Sequence, residues 1–163
     1  MKNLTVVLML FSVAFVNAQA YKGKGDTKFQ IGVNFQNGAS GINASYDIGV
    51  GENISFGLSS TYLLGVDDKL NASFGDRFDI KARFNANIGN VVNIDDNFDM
   101  YPGLNFSLKN FGGHLGLRYF FTTGFGVFTE MNAPISKYNS GALTPAEKLH
   151  NQFSVNLGAI FNL

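Results

Sequence analysis

Seven ionisable side chains sit in stretches that are otherwise apolar or small: Asp47, Asp79, Lys81, Arg83, His114, Arg118 and Glu130. Asp79, Lys81 and Arg83 are two residues apart, with Ile80 and Ala82 between them, and His114 and Arg118 flank Gly116. A spacing of two puts side chains on one face of a β-strand. Both signs of charge are present. The first chemistry such a face supports is mutual neutralisation, with ion pairs and hydrogen bonds offsetting the loss of water. Arg118 and Glu130, on neighbouring segments, are the pair expected to meet. Left open to water, the same groups would line a small or gated pore.

Catalysis would need a nucleophile or an acid/base group in a specific constellation. The two histidines are His114 and His150, and Ser136, Ser140 and Ser154 lie near His150 in sequence. No spacing among them is specific, so no catalytic residue is assigned and the chain is read as a non-enzyme. Asp67-Asp68 and Asp95-Asp96 lack the spaced oxygen ligands of a calcium loop. Cysteine is absent, which removes disulfides and thiolate metal sites. No metal and no cofactor is expected. Twelve basic and twelve acidic residues give zero net charge, which argues against nucleic acid as a partner.

The charged positions need strands to hold them, and eight segments alternate with period two. Their apolar rows begin with Phe29, Ile31, Val33 and Phe35, then Ile42, Ala44, Tyr46, Ile48 and Val50. The third row is Ile54, Phe56, Leu58, Ser60, Tyr62 and Leu64, and the fourth is Phe78, Ile80, Ala82, Phe84, Ala86 and Ile88. The fifth is Leu104, Phe106 and Leu108, with Tyr101 and Pro102 near its start. The sixth is Leu115, Leu117, Tyr119 and Phe121, and the seventh is Phe125, Val127, Thr129 and Met131. The eighth is Phe153, Val155, Leu157, Ala159, Phe161 and Leu163. Asn37-Gly38 signals a tight hairpin, and the short links predict an up-and-down meander. The longer links are 65–76, 89–99 and 132–150. Thr144 could cap one helical turn over 145–148.

The opposite faces decide which side is wet. They carry Gln30, Asn34, Asn43, Ser45, Ser55, Ser59, Asn85 and Asn87 with many glycines, beside the seven ionisable groups. Small polar residues suit a crowded, curved interior, whereas the outer face of a soluble barrel is richer in Lys, Glu and Thr. The aromatic and aliphatic face suits lipid. An all-β, eight-stranded antiparallel up-and-down transmembrane β-barrel satisfies both faces, and closure pairs the backbone groups that lipid cannot. The last strand then closes against the first with Phe153, Val155, Leu157, Phe161 and Leu163 toward lipid. Tyr46, Tyr62, Tyr101 and Tyr119 are candidates for an interfacial aromatic belt. An exported soluble barrel that binds an apolar ligand is the competing reading. It would turn Phe29, Ile31, Phe56 and Phe84 inward.

Residues 1–20 read separately. Lys2 precedes an apolar run from Leu4 to Val16, and small residues at Ala18 and Ala20 offer cleavage sites. This is a signal peptide, cut after Ala18 or Ala20, followed by one barrel domain over 21–163.

The mature chain, ending in "NQFSVNLGAIFNL", resembles the small eight-stranded outer-membrane β-barrel proteins of Gram-negative bacteria. Its Phe- and Asn-rich composition and "NAQA" cleavage region look like a Bacteroidetes (flavobacterial) member. The resemblance implies the cell outer membrane as location, outer-membrane lipids as surroundings, and the barrel-assembly and export machinery as partners. In that family the final strand usually ends in an aromatic residue. Here Leu163 is last, and Phe161 lies two earlier on the same face. A monomer is expected. Any extracellular ligand would bind through loops 65–76 and 132–150.

Overall fold

Strands that are apolar on one face and polar on the other, joined in sequence order, leave two bare backbone edges unless the last pairs with the first. A computed structural model describes residues 19–138, 141 and 143–163. The chain is all-β and forms a closed antiparallel barrel in sequence order. Its strands are β1 (Thr27–Gln36), β2 (Ala39–Gly49), β3 (Ile54–Val66) and β4 (Phe78–Ala86), then β5 (Phe98–Ser107), β6 (Asn110–Phe120), β7 (Phe125–Lys137) and β8 (Ser154–Asn162). Closure is by β1 against β8, in register from Lys28↔Asn162 to Gln36↔Ser154. Phe153 precedes β8 and Leu163 follows it, and the Leu163 N–H donates to the Thr27 carbonyl (3.1 Å).

The two ends of the barrel differ. The terminal end carries the chain's approach to β1 and the end of β8. Its links include the short helix α2 (Gly89–Val92). At the far end, β1 and β2 meet in the two-residue turn Asn37-Gly38, where Gly38 takes a φ of 71° that side chains disfavour. The far end also carries a single 3₁₀ turn (Asp68–Leu70), α1 (Phe74–Arg77) and the long link 138–153. Within that link residues 145–150 form turns rather than a helix. Thr144 and Glu147 nonetheless cap one another: the Glu147 carboxylate accepts from the Thr144 N–H (2.7 Å) and hydroxyl (2.9 Å).

Three boundaries differ from the sequence expectation. β5 begins at Phe98, so Tyr101 and Pro102 lie within it. Pro102 falls just past the last β4–β5 pair, Asn85↔Gly103, where no ladder donor is needed on that side. β6 begins at Asn110, leaving a two-residue hairpin at 108–109. β7 runs on to Lys137, which shortens the long link and draws Asn132 into the barrel. The leader reading falls on 1–18, apart from Gln19 and Ala20, and Ser140 likewise lies outside the described residues.

Side chains obey the alternation. The apolar rows face outward: Phe56 is 53% exposed, and Ile31, Phe35, Leu58, Phe106 and Leu157 stand out similarly. The polar rows face inward, where Arg83 is 3% exposed. Aromatic rings chain together around both rims. At the terminal end Tyr119, Phe121, Phe125, Phe161 and Phe29 succeed one another with centroids 5.6 to 6.4 Å apart. At the far end Phe74 joins Tyr62 (5.6 Å) to Phe78 (5.8 Å), and Phe106 meets Phe111 (4.6 Å).

Candidate functional site

The interior is where titratable side chains are concentrated, and strand alternation brings them there from all around the barrel. Asp47 (β2), Asp79 and Arg83 (β4), His114 and Arg118 (β6) and Glu130 (β7) are buried in the lumen, and Lys81 (β4) reaches toward the far end. Arg83 spans the lumen: its Nη2 donates to Glu130 Oε2 (2.6 Å), and its Nε lies 3.2 Å from Asp47 Oδ1. That Nε–H is directed at Asn85 Oδ1 (3.2 Å), so Asp47 is held by charge and not by a hydrogen bond. Glu130 also accepts from Asn132 (3.0 Å) and Asn156 (3.4 Å). His114 Nε2 is 2.7 Å from Asn85 Oδ1, while its Nδ1 lies 3.4 Å from the Asn105 amide nitrogen. Arg83 Nη2 also lies 3.4 Å from that Nε2. Lys81 and Asp79 stand 3.8 Å apart.

Arg118 does not meet Glu130. The register places Gly116 opposite Glu130 and Asp99 opposite Arg118. Arg118 therefore pairs with Asp99 (2.6 Å) and also donates to Asn87. Asp99 Oδ1 accepts the Gly89 N–H (2.9 Å), tying the ion pair to the start of α2.

Tyr101 is corrected from belt to lumen. It is fully buried. Its hydroxyl accepts from Gln30 Nε2 (3.0 Å), and the Gln30 carbonyl accepts from Ser45 (2.7 Å). Its ring lies between the two arginines, 4.4 Å from Arg118 Cζ and 5.7 Å from Arg83 Cζ, so cation–π attraction joins the two clusters. Gly116 makes this possible, because a methyl group there would overlap the Tyr101 ring. Among the other belt candidates, Tyr62 and Tyr119 stand in the rim chains, and Tyr46 faces outward beside Phe29.

Both mouths are covered. At the terminal end, Ala20 packs on Phe120, Phe128 and Ile160. Tyr21 is buried with its hydroxyl donating to the Ile54 carbonyl (2.6 Å), and burial raises its pKa, with Asp26 adding to the effect. Lys28 bridges to Asp26 (2.6 Å) with its ammonium over the Phe120 ring. At the far end residues 149–151 of the long link lie over the lumen as a lid. Gln36 donates to the Leu149 carbonyl (2.6 Å), and Asn110 Nδ2 donates to the His150 carbonyl and to Asn151 Oδ1 (both 2.9 Å). Burial, with the Lys109 cation adding to it, pushes the His150 pKa down to about 4. Lys109 itself is lowered by burial while donating to the Gly75 (2.7 Å) and Phe78 (2.8 Å) carbonyls. Beneath the lid a polar cavity of about 20 Å³ touches Asn34, Asn43, Lys81, Glu130, His150 and Asn156, room for about one water.

His150 Nε2 makes no hydrogen bond among the described residues. The acidic pairs serve turns: Asp67 Oδ1 accepts the Lys69 N–H (3.0 Å) and Asp95 Oδ1 the Asn97 N–H (2.7 Å). Asp76 caps α1 through Ser73, and that hydroxyl holds its carboxyl below the usual range. Two grooves of about 310 Å³ flank the lid: one touches Asp76, Lys109, Tyr138 and Glu147, the other Asp67, Leu70, Lys148 and Gln152.

Sequence reasoning missed Lys28, Asp99 and Tyr101 as lumen groups. Once β5 is extended by parity from Asn105 through Gly103, Tyr101 and Asp99 turn inward, so the signal was present.

The fold and its interior define a closed eight-stranded β-barrel, apolar outside and charged inside. A family model described as a family of unknown function, DUF6646, matches residues 11–163, and the chain belongs to that family. Neither a curated protein nor a solved structure matches it.

Proposed function

We propose that this chain is an integral outer-membrane β-barrel protein of Gram-negative type, non-enzymatic, with a structural or surface-interaction role. The observation that carries this reading is the inversion of the barrel: outward rows of Phe, Ile, Leu and Val, inward ion pairs. In water such an outer surface has no favourable neighbour, whereas lipid matches it and closure satisfies the backbone. Strands of 9 to 13 residues meet the length a tilted crossing needs, and the two aromatic rims suit the interfaces. A soluble carrier of an apolar ligand needs Phe29, Ile31, Phe56 and Phe84 inside. All four belong to the outward rows, with Phe56 and Ile31 well exposed.

With both termini in the periplasm, the lid and its flanking grooves face the outside, and that face is where a surface partner would bind. The arginine clusters fill the lumen and both mouths are covered, which favours a plugged barrel over a small pore. Fractionation of expressing cells tests the reading. Recovery with the outer membrane, with a band whose gel mobility changes on boiling, is expected, together with no conductance in planar bilayers. Recovery as a soluble periplasmic protein would overturn it.

A further inference from the structure

The leader offers two junctions, after Ala18 and after Ala20, and the folded barrel does not treat them alike. Gln19 is exposed. Ala20 is buried against Phe120, Phe128 and Ile160, and its N–H donates to the Asp96 carbonyl (2.8 Å). Tyr21 is buried as well, clamped by its hydroxyl on the Ile54 and Gly51 carbonyls (2.6 and 3.3 Å). Next to it the Lys22 N–H donates to Asp26 Oδ2 (3.1 Å) and the Gly25 N–H to the Gly49 carbonyl (2.8 Å). Gly49 has no room for a side chain because the Tyr21 hydroxyl and the Gly23 carbonyl occupy that space. The segment from Ala20 to Asp26 is thus a fitted stopper for the terminal end, with Ala20 in the apolar cluster of Phe120, Phe128 and Ile160.

We infer that processing hydrolyses the Ala18–Gln19 bond, so the mature chain starts at Gln19 and keeps Ala20 as part of the stopper. This rests on the exported-barrel reading. Water adds across the bond, leaving a carboxylate on Ala18 and an α-amine on Gln19. A leader peptidase acts on the unfolded chain, so the fold does not steer the cut. It determines which product keeps the cover of the terminal end whole. A start at Gln19 places the new ammonium at an exposed residue, one position from the contact with the acidic 95–96 turn. A start at Tyr21 would put that ammonium on a buried residue, where losing water is costly. It would also delete Ala20 from the apolar cluster and leave the Asp96 carbonyl without its donor.

The test is the intact mass and N-terminal peptide of the protein extracted from cells expressing the full chain. A mature chain beginning at Gln19, as glutamine or its cyclised form, is expected. A chain beginning at Tyr21 overturns the inference while leaving export in place. A chain retaining Met1 overturns the export reading along with it. A second arm compares chains refolded from Gln19 and from Tyr21. The shorter one is expected to unfold at lower urea concentration, and equal midpoints would remove the structural basis.

Discussion

The lumen has two halves built around the same residue type. In the far half Arg83 answers two carboxylates from different strands, Asp47 on β2 and Glu130 on β7. In the terminal half Arg118 answers one, Asp99 on the neighbouring strand, with Asn87 and the Tyr101 ring completing its shell. Among the described residues the interior holds four cations (Lys28, Lys81, Arg83, Arg118) and five carboxylates (Asp26, Asp47, Asp79, Asp99, Glu130), and the surplus negative charge falls on Arg83. The far half is therefore a long-range tie across the barrel. The terminal half is a local rivet between adjacent strands. One cation binding two distant strands concentrates risk, while a pair in direct register spreads it.

Removing each arginine should expose that difference. Arg83→Met leaves Asp47 and Glu130 buried without their cation, and the expected loss is about 3–5 kcal/mol. It is read as a shift in the urea midpoint of protein refolded in lipid, followed by tyrosine fluorescence because the chain has no tryptophan. Arg118→Met strands Asp99 alone, which keeps the Gly89 N–H, and the expected loss is about 2–3 kcal/mol. Paired replacements sharpen the contrast. Arg118→Met with Asp99→Asn should recover to within about 1 kcal/mol of the parent. Arg83→Met with Glu130→Gln should not, since Asp47 still lacks a cation. Equal recovery of both would refute the asymmetry.

Gly116→Ala acts at the junction of the halves by forcing a methyl group into the Tyr101 ring. A cost of about 1–3 kcal/mol is expected from overpacking. Tyr101→Leu in the same chain should return part of it, and an additive double variant would mean that the overlap is not the cause.

The smallest effect is confined to the lid. His150 has a folded pKa of about 4, below its ordinary 6.5, so the opened lid binds a proton before the closed one does. The closing free energy is then complete above pH 6.5 and declines as pH falls from 6.5 to 4. Hydrogen exchange of the 149–151 amides should report a roughly tenfold to thirtyfold greater open population at pH 5 than at pH 7. His150→Gln should abolish the pH dependence. The terminal cover, whose Tyr21 pKa is raised, should show no such change over that range.

Most of the architecture is legible from period two alone. The outward row of β1, from Phe29 to Phe35, and the inward triplet Asp79, Lys81 and Arg83 declare their faces without reference to anything distant. What alternation cannot supply is register. The expected Arg118–Glu130 pair failed because β6 and β7 align Gly116 with Glu130, a register that runs unbroken from Phe120↔Gly126 at the turn between them and is not set by local pattern. Tyr101 was misplaced because Pro102 reads as a strand start, although here it sits beyond the β4 ladder. The covers were illegible for another reason: Tyr21 and His150 lie in aperiodic segments, and their burial depends on the barrel existing first.

The β1–β8 seam also governs assembly in time. Its nine residue pairs join positions more than a hundred residues apart, so the contact that ends the exposure of both edges is also the most distant in sequence. Loop closure of that length is entropically slow. Until Asn162 is in place, the growing ring carries two unsatisfied edges, each able to recruit a strand from another chain. Completion is thus close to all-or-none, and a chain cut short by one strand cannot make a smaller version of this barrel with the same seam. The ring measures its own length, and only the final strand can finish the count.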